Sequence, residues 1–95
     1  EPRYAAISGA LAAIPPEARV SATDFVAAQL AHRRYLREYS FQNTCGDSDY
    51  VILDIADPQT FARDRARFEL ERQAILGLGY VEIASGDGLS VMRRR

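Results

Sequence analysis

The sequence predicts a small α/β domain: a Rossmann-like three-layer sandwich with three mainly parallel strands and a C-terminal antiparallel hairpin. Two strand-to-helix units carry this prediction. The first runs from a strand at residues 19–22 into a Ser/Thr/Asp cap, and the second runs from residues 49–55 into Asp57 and Pro58. Strands that alternate with helices are typical of parallel sheets. Right-handed crossovers then place helices on both faces of the sheet.

The first half of the chain alternates regularly between helix and strand. Residues 4–14 are Ala-rich with apolar residues three and four apart, which predicts a helix that Pro15 and Pro16 end. Residues 19–22 form the first strand. Ser21, Thr23 or Asp24 then caps a helix over residues 24–31.

The middle of the chain contains the strongest strand pattern. Residues 35–39 predict a short second strand, and residues 40–48 a polar loop. Residues 49–55 carry a continuous apolar run, which is typical of a central strand covered on both faces. An Asp-Pro pair then starts the longest helix, over residues 57–76, which Gly77 ends.

The middle of this long helix, residues 63–72, is heavily charged. The pattern favours a solvated face with ion pairs at helical spacing, such as Arg65–Glu69 and Glu69–Arg72. The alternative is a charge stripe that binds a partner.

The C-terminal residues predict a hairpin. Residues 80–84 alternate as a strand, residues 85–88 form a Gly/Asp turn, and residues 89–92 return as the antiparallel partner. Residues 93–95 are three arginines, which we interpret as a solvated basic tail rather than an arm that binds nucleic acid.

Length and composition limit the function classes. The 95 residues suit one domain, and the 47% hydrophobic content suits a packed core. Twelve basic and 13 acidic residues give a net charge of -1, so no global field draws the domain to nucleic acid or an anionic membrane. All the basic residues are arginine, which a GC-rich bacterial genome explains. We find no apolar run of about 20 residues and no signal-peptide pattern.

Candidate binding residues lie where the predicted strands end. Thr23 and Asp24 follow the first strand, and Asp54 and Asp57 follow the central one. Ligands of open parallel sheets bind at this edge, and such oxygens can hold Mg²⁺ or Ca²⁺. The favoured interpretation is structural: Asp24 and Asp57 cap helices, and Asp54 is a solvated strand end. We therefore expect no resident metal.

The remaining chemistry is sparse. The first strand is not followed by the Gly-x-Gly-x-x-Gly pattern of dinucleotide-binding folds, and there is no P-loop, so no nucleotide cofactor is expected. His32 and Cys45 are the single histidine and the single cysteine. One cysteine excludes an internal disulfide. We expect His32 to form local hydrogen bonds at a helix end rather than a catalytic pair with Cys45, and we assign no catalytic residue.

A series of short motifs runs through most of the chain: an Ile-Pro-Pro helix end and a Val-Ser-Ala strand, then a Leu-Ala-His-Arg helix segment, an Asp-Tyr-Val-Ile-Leu-Asp strand and a final hairpin ending in arginine. The series resembles the soluble C-terminal region of bacterial polytopic membrane proteins related to GT-C type, lipid-phosphosugar-dependent glycosyltransferases. The chain departs from that pattern at Ala31, where serine is expected, and in the polar loop before the central strand.

The resemblance implies a single domain over residues 1–95, taken from the C-terminal end of a longer membrane protein and lying on the extracytoplasmic face of a bacterial membrane. It implies that the catalytic carboxylates lie in earlier loops of the parent. The expected function is therefore non-catalytic: the domain assists acceptor or partner binding, and its expected partner is the membrane-embedded part of its parent. The alternatives are a module that binds a small ligand or divalent metal at the acidic rim, a Rossmann-type enzyme fragment, and an oligomerisation domain that uses the hairpin edge.

Overall fold

The computed structural model describes residues 5, 8–23, 35–39, 48–56, 61–86 and 88–95, and they form a mixed α/β fold around one five-stranded sheet. The strand order is β2-β1-β3-β5-β4. The elements in chain order are α1 (Ser8–Ala12), β1 (Val20–Ala22), β2 (Leu36–Glu38), β3 (Tyr50–Asp54), α2 (Arg65–Gly77), β4 (Tyr80–Gly86) and β5 (Leu89–Arg94).

One half of the sheet is parallel, as the strand-to-helix units predicted. β1 pairs in parallel with β2 on one side, where Ser21 lies opposite Arg37, and with β3 on the other, where Ser21 lies opposite Val51. The strand predicted to be central, β3, lies between β1 and β5 and is buried from Val51 to Asp54.

The other half of the sheet is the antiparallel hairpin, which is longer than predicted. β5 lies between β3 and β4 and pairs antiparallel with both. Gly86 lies opposite Leu89, so only residues 87 and 88 connect the strands, and Gly88 has φ of 76°. Arg93 and Arg94 belong to β5, so two of the three arginines predicted as a tail extend an ordered strand.

The long helix begins later than the sequence predicted. The predicted span was 57–76, but α2 starts at Arg65, after a turn in which Ala62 and Arg63 have φ of 46° and 64°. Left-handed residues interrupt the helical hydrogen-bond series. Asp64 then caps α2, accepting a 3.1 Å hydrogen bond from the Arg67 amide. Residues 57–60 and the predicted helix at 24–31 lie outside the described residues.

Side chains are buried on both faces of the sheet because successive residues of a strand point to opposite sides. Along β3, Ile52 belongs to one core cluster, and Val51 and Leu53 belong to the other. The first cluster contains Ile14, Val20, Ala22, Ile52, Leu89 and Val91. The second contains Tyr39, Val51, Leu53, Ile55, Phe61, Phe68, Ile75, Tyr80 and Met92.

Candidate functional site

The carboxyl ends of β1 and β3 meet at one edge of the sheet, as the candidate binding site required. The Thr23 amide donates a 3.1 Å hydrogen bond to the Ile52 carbonyl. The Asp54 amide in turn donates a 3.0 Å hydrogen bond to Thr23 Oγ1. Two of the five candidate residues, Thr23 and Asp54, are therefore adjacent and directly bonded.

The Asp54 side chain is fully buried, with 0% of its surface exposed. The expectation of a solvated strand end is therefore wrong. Asp54 Oδ1 accepts a 2.9 Å hydrogen bond from the Ala56 amide, two residues along the chain. A buried carboxylate needs such donors, so at least one oxygen of Asp54 stabilises the turn that leaves β3.

The other three candidates, Asp24, His32 and Asp57, lie outside the described residues, as does Cys45. They remain predictions. Within the ranges that the structure describes, no group of three or more His, Cys, Asp or Glu side chains could hold a metal ion.

A second polar cluster joins α2 to the hairpin at the opposite side of the sheet from β2. Arg72 and Glu82 form a bidentate ion pair, with Nε–Oε2 at 2.8 Å and Nη2–Oε1 at 2.6 Å. Arg72 Nη1 also donates to Glu69 at 3.2 Å, which confirms the predicted Glu69–Arg72 pair. Ser90 Oγ donates a further hydrogen bond to Glu82.

These contacts shift the ionisation of both partners. The hydrogen bond from Arg72 lowers the pKa of the Glu82 carboxyl, with a smaller contribution in the same direction from Ser90, while burial opposes the shift. The same hydrogen bond raises the pKa of the Arg72 guanidinium. Both groups therefore stay charged at neutral pH, and their pairing holds α2 against β4.

A buried carboxylate, that of Glu71, lies on the same helix. Glu71 is 5% exposed. Its Oε1 accepts a 2.7 Å hydrogen bond from the Tyr39 hydroxyl, and its Oε2 pairs with Arg67 Nε at 3.0 Å. The interpretation of the whole 63–72 segment as a solvated face is therefore wrong at this position.

Sequence reasoning missed Glu71 because it treated the charged run as one surface. The spacing along the helix could have identified it as buried. Phe68, Glu71 and Ile75 recur at intervals of three and four residues, and all three are buried. A charged residue in an apolar helical stripe points to a partner in the core. The partner itself, Tyr39, was not identifiable from local sequence, because 32 residues separate it from Glu71.

A cleft of about 220 Å³ opens beside the Arg72–Glu82 pair. Ser85, Gly86 and Gly88 from the hairpin form one wall, and Arg65 and Phe68 from α2 form another. The cleft lies at the same edge of the sheet as Asp54, because Asp54 pairs with Leu89 and Leu89 with Gly86. Three of its charged lining residues, Glu69, Arg72 and Glu82, form ion pairs with one another.

In comparisons with known proteins, no family model, no curated protein and no solved structure matches this chain. Over the parts of the chain that the structure describes, no helix has the length and apolar character needed to cross a bilayer.

Proposed function

We propose that the chain is a non-catalytic accessory domain of a bacterial membrane protein related to GT-C glycosyltransferases, positioned on the extracytoplasmic face and assisting acceptor or partner binding. The motif series from the Ile-Pro-Pro helix end to the final hairpin motivates the assignment to this parent. The geometry bears on the non-catalytic part of the proposal.

The observation that carries the proposal is that the buried carboxylates of Asp54 and Glu71, and the half-buried carboxylate of Glu82, make contacts within the protein. Asp54 bonds the amide of its own turn, Glu71 bonds Tyr39 and Arg67, and Glu82 bonds Arg72 and Ser90. A general acid, a general base or a metal ligand needs an oxygen directed at substrate or ion. These carboxylates instead direct oxygens at the protein, which favours a scaffold role.

The same proposal includes a Rossmann-like three-layer arrangement. Its support is the alternation of β3 between two core clusters, with Phe68 and Ile75 of α2 in one. Leu11 and Ile14, from α1 and the turn after it, pack in the other. Such a sheet with helices on both faces presents a ligand or partner edge at the carboxyl ends of its parallel strands.

The parent assignment is tested on the complete open reading frame. We expect several hydrophobic spans upstream of this segment. Alkaline phosphatase fused directly after residue 95 is expected to be active, and a green fluorescent protein fused at the same position is expected to be dark. An intact gene product without multiple upstream spans, or a fluorescent fusion with inactive phosphatase, would overturn the proposal.

A second candidate function is binding of a divalent metal or a small ligand at the acidic rim, and the observation that favours it is that Thr23 and Asp54 lie next to each other there. Titration calorimetry with Mg²⁺, Ca²⁺ and sugar phosphates tests it. Binding heat that disappears in Asp54→Asn, a variant that retains an oxygen for the Ala56 amide, supports a rim site. The absence of heat and of a thermal shift at millimolar ligand counts against it.

A third candidate is self-association through β4, which is the outermost strand of the described sheet at the hairpin side. Ile83 on this strand is 39% exposed, and an exposed edge can pair with a second chain. Light scattering across a concentration series distinguishes this candidate, because a monomer at high concentration contradicts it.

A further inference from the structure

The structure contains an arginine-rich cleft at the edge of the sheet opposite to the Thr23–Asp54 rim. The cleft has a volume of about 390 Å³. It lies where β5 ends and β3 begins, because Tyr50 pairs with Arg93 in the antiparallel register. Its lining residues are Pro15, Ala18, Asp49, Tyr50, Arg93, Arg94 and Arg95.

The arginines are held in place by ordered backbone. Arg93 lies on an internal strand, opposite Tyr50 on β3 and Val81 on β4. The Arg94 amide donates to the Asp49 carbonyl at 2.8 Å, and the Arg95 amide donates to the Gly79 carbonyl at 3.1 Å. The three arginine side chains therefore extend from an ordered backbone. Ligand binding then does not cost the backbone entropy that ordering a flexible tail would cost.

The charges of the cleft are unbalanced. Arg93 and Arg95 line the cleft together with one carboxylate, that of Asp49, whose Oδ2 accepts a 2.9 Å hydrogen bond from the Arg19 amide. The Arg94 guanidinium lies 5.9 Å from the centre of the Tyr80 ring. Among the residues that the structure describes, Arg93 and Arg95 have no ion-pair partner. By contrast, Arg67 and Arg72 on α2 each pair with glutamate.

We infer that this cleft binds a phosphate group, with Arg93 and Arg95 as the principal ligands and the Tyr50 side chain as a wall. Guanidinium groups donate paired hydrogen bonds that match phosphate geometry. Two arginines against one carboxylate also leave a net positive charge, which favours a phosphate anion. The phosphate can belong to a free small molecule or to a lipid headgroup, because both present anionic phosphate oxygens to the guanidinium groups. The inference does not depend on which parent protein carries the domain.

The test compares the wild type with Arg93→Gln/Arg95→Gln and with a matched control, Arg65→Gln, which removes the same kind of charge near the opposite edge of the sheet. Inorganic phosphate and glycerol 3-phosphate are titrated while the arginine Nε–H signals are followed by NMR. Phosphatidylcholine vesicles, with and without phosphatidylglycerol, are used in a sedimentation assay. Circular dichroism checks that each variant is folded, and Arg95→Gln alone serves if the double variant is not.

Phosphate is expected to shift the Nε–H signals of Arg93 and Arg95. The double variant should weaken binding by about tenfold or more, since two charge-assisted contacts are lost, and Arg65→Gln should leave it unchanged. The lipid headgroup is the source of the phosphate if the wild type sediments with phosphatidylglycerol vesicles but does not bind the free phosphates. The double variant should then no longer sediment with these vesicles. The inference is overturned if neither probe binds, or if Arg65→Gln weakens binding as much as the double variant.

Discussion

The Tyr39 hydroxyl donates a 2.7 Å hydrogen bond to the Glu71 carboxylate and so joins the residue after β2 to the middle of α2. Both side chains are buried. Arg67 Nε donates a second hydrogen bond to this carboxylate, at 3.0 Å. The contact thus satisfies a charge inside the core and links the end of the outer parallel strand to α2.

Replacing Tyr39 with phenylalanine tests this contact. The buried Glu71 oxygen loses its donor, so we expect Tyr39→Phe to lower the free energy of unfolding by about 1–3 kcal/mol. Urea denaturation followed by circular dichroism measures the change. Tyr50→Phe is the matched control, because the Tyr50 hydroxyl has no hydrogen-bond partner among the described residues. Equal effects of the two variants would show that the Tyr39–Glu71 bond contributes nothing.

The Arg72–Glu82 pair gives stability a specific dependence on pH. The pKa of folded Glu82 lies below its usual value of 4.5. The stabilisation is therefore present above that value and is lost as the pH falls through the folded pKa. Because the pair is partly solvated, we expect Glu82→Gln to cost about 1–2 kcal/mol at pH 7.

Urea midpoints measured from pH 7 to pH 3 check this prediction. The difference between wild type and Glu82→Gln should begin to narrow below the usual value of 4.5, where the unfolded chain takes up a proton that folded Glu82 still resists, and it should be lost as the pH falls through the folded pKa. Glu17→Gln is the control, since Glu17 is exposed. A difference that stays constant over this pH range would contradict an ionic origin.

Gly88, in the turn between β4 and β5, lies too close to Ile55 for a larger residue to fit. Its φ is 76°, and a Cβ atom there would lie 2.1 Å from Ile55 Cγ2, a side chain in the core. We expect Gly88→Ala to destabilise the domain by about 2 kcal/mol or more, because strain and overlap add. Thermal unfolding measures the loss. Gly77→Ala, in the last turn of α2 with no atom near the added methyl group, should be neutral or stabilising; a similar loss there would undermine the explanation.

Thr23 connects the two strand ends of the acidic rim. Thr23→Val removes the oxygen that accepts from the Asp54 amide. A buried amide without a partner costs about 1–3 kcal/mol. Thr23→Ser retains the hydroxyl and should lose much less. Hydrogen exchange at the Asp54 amide is the direct measurement, and unchanged protection in Thr23→Val would rule out this role for the hydroxyl.

The parallel strands and the hairpin could be predicted because their signals are local. The apolar run of residues 50–53 identified β3, and the Gly/Asp turn identified the β4–β5 pair. The start of α2 could not be placed correctly, because an Asp-Pro pair at residues 57–58 and the cap at Asp64 are both good helix starts. Only the left-handed turn at Ala62 and Arg63 excludes a helix that continues through them.

The candidate site was less predictable than the fold. Thr23 and Asp54 lie together at the ends of neighbouring strands, as expected. The burial of Asp54 could not be predicted from the sequence of its own strand, because it depends on how other elements pack around it. Glu71 and Glu82 each have a partner from another element, at separations of 32 residues for Tyr39 and 10 for Arg72. Residue type and spacing identify a charged helix, whereas tertiary contacts decide which of its charges enter the core.

The position of β5 between β3 and β4 has a consequence for synthesis on the ribosome. Residues 50–54 and 80–86 flank a gap that only residues 89–94 fill. While the chain is being made, both of these earlier strands present bare edges until the last strand leaves the exit tunnel. Exposed strand edges promote association between chains. The nascent domain is therefore most vulnerable to aggregation just before its arginine-rich strand emerges, and the insertion of that strand joins the two halves of the described sheet.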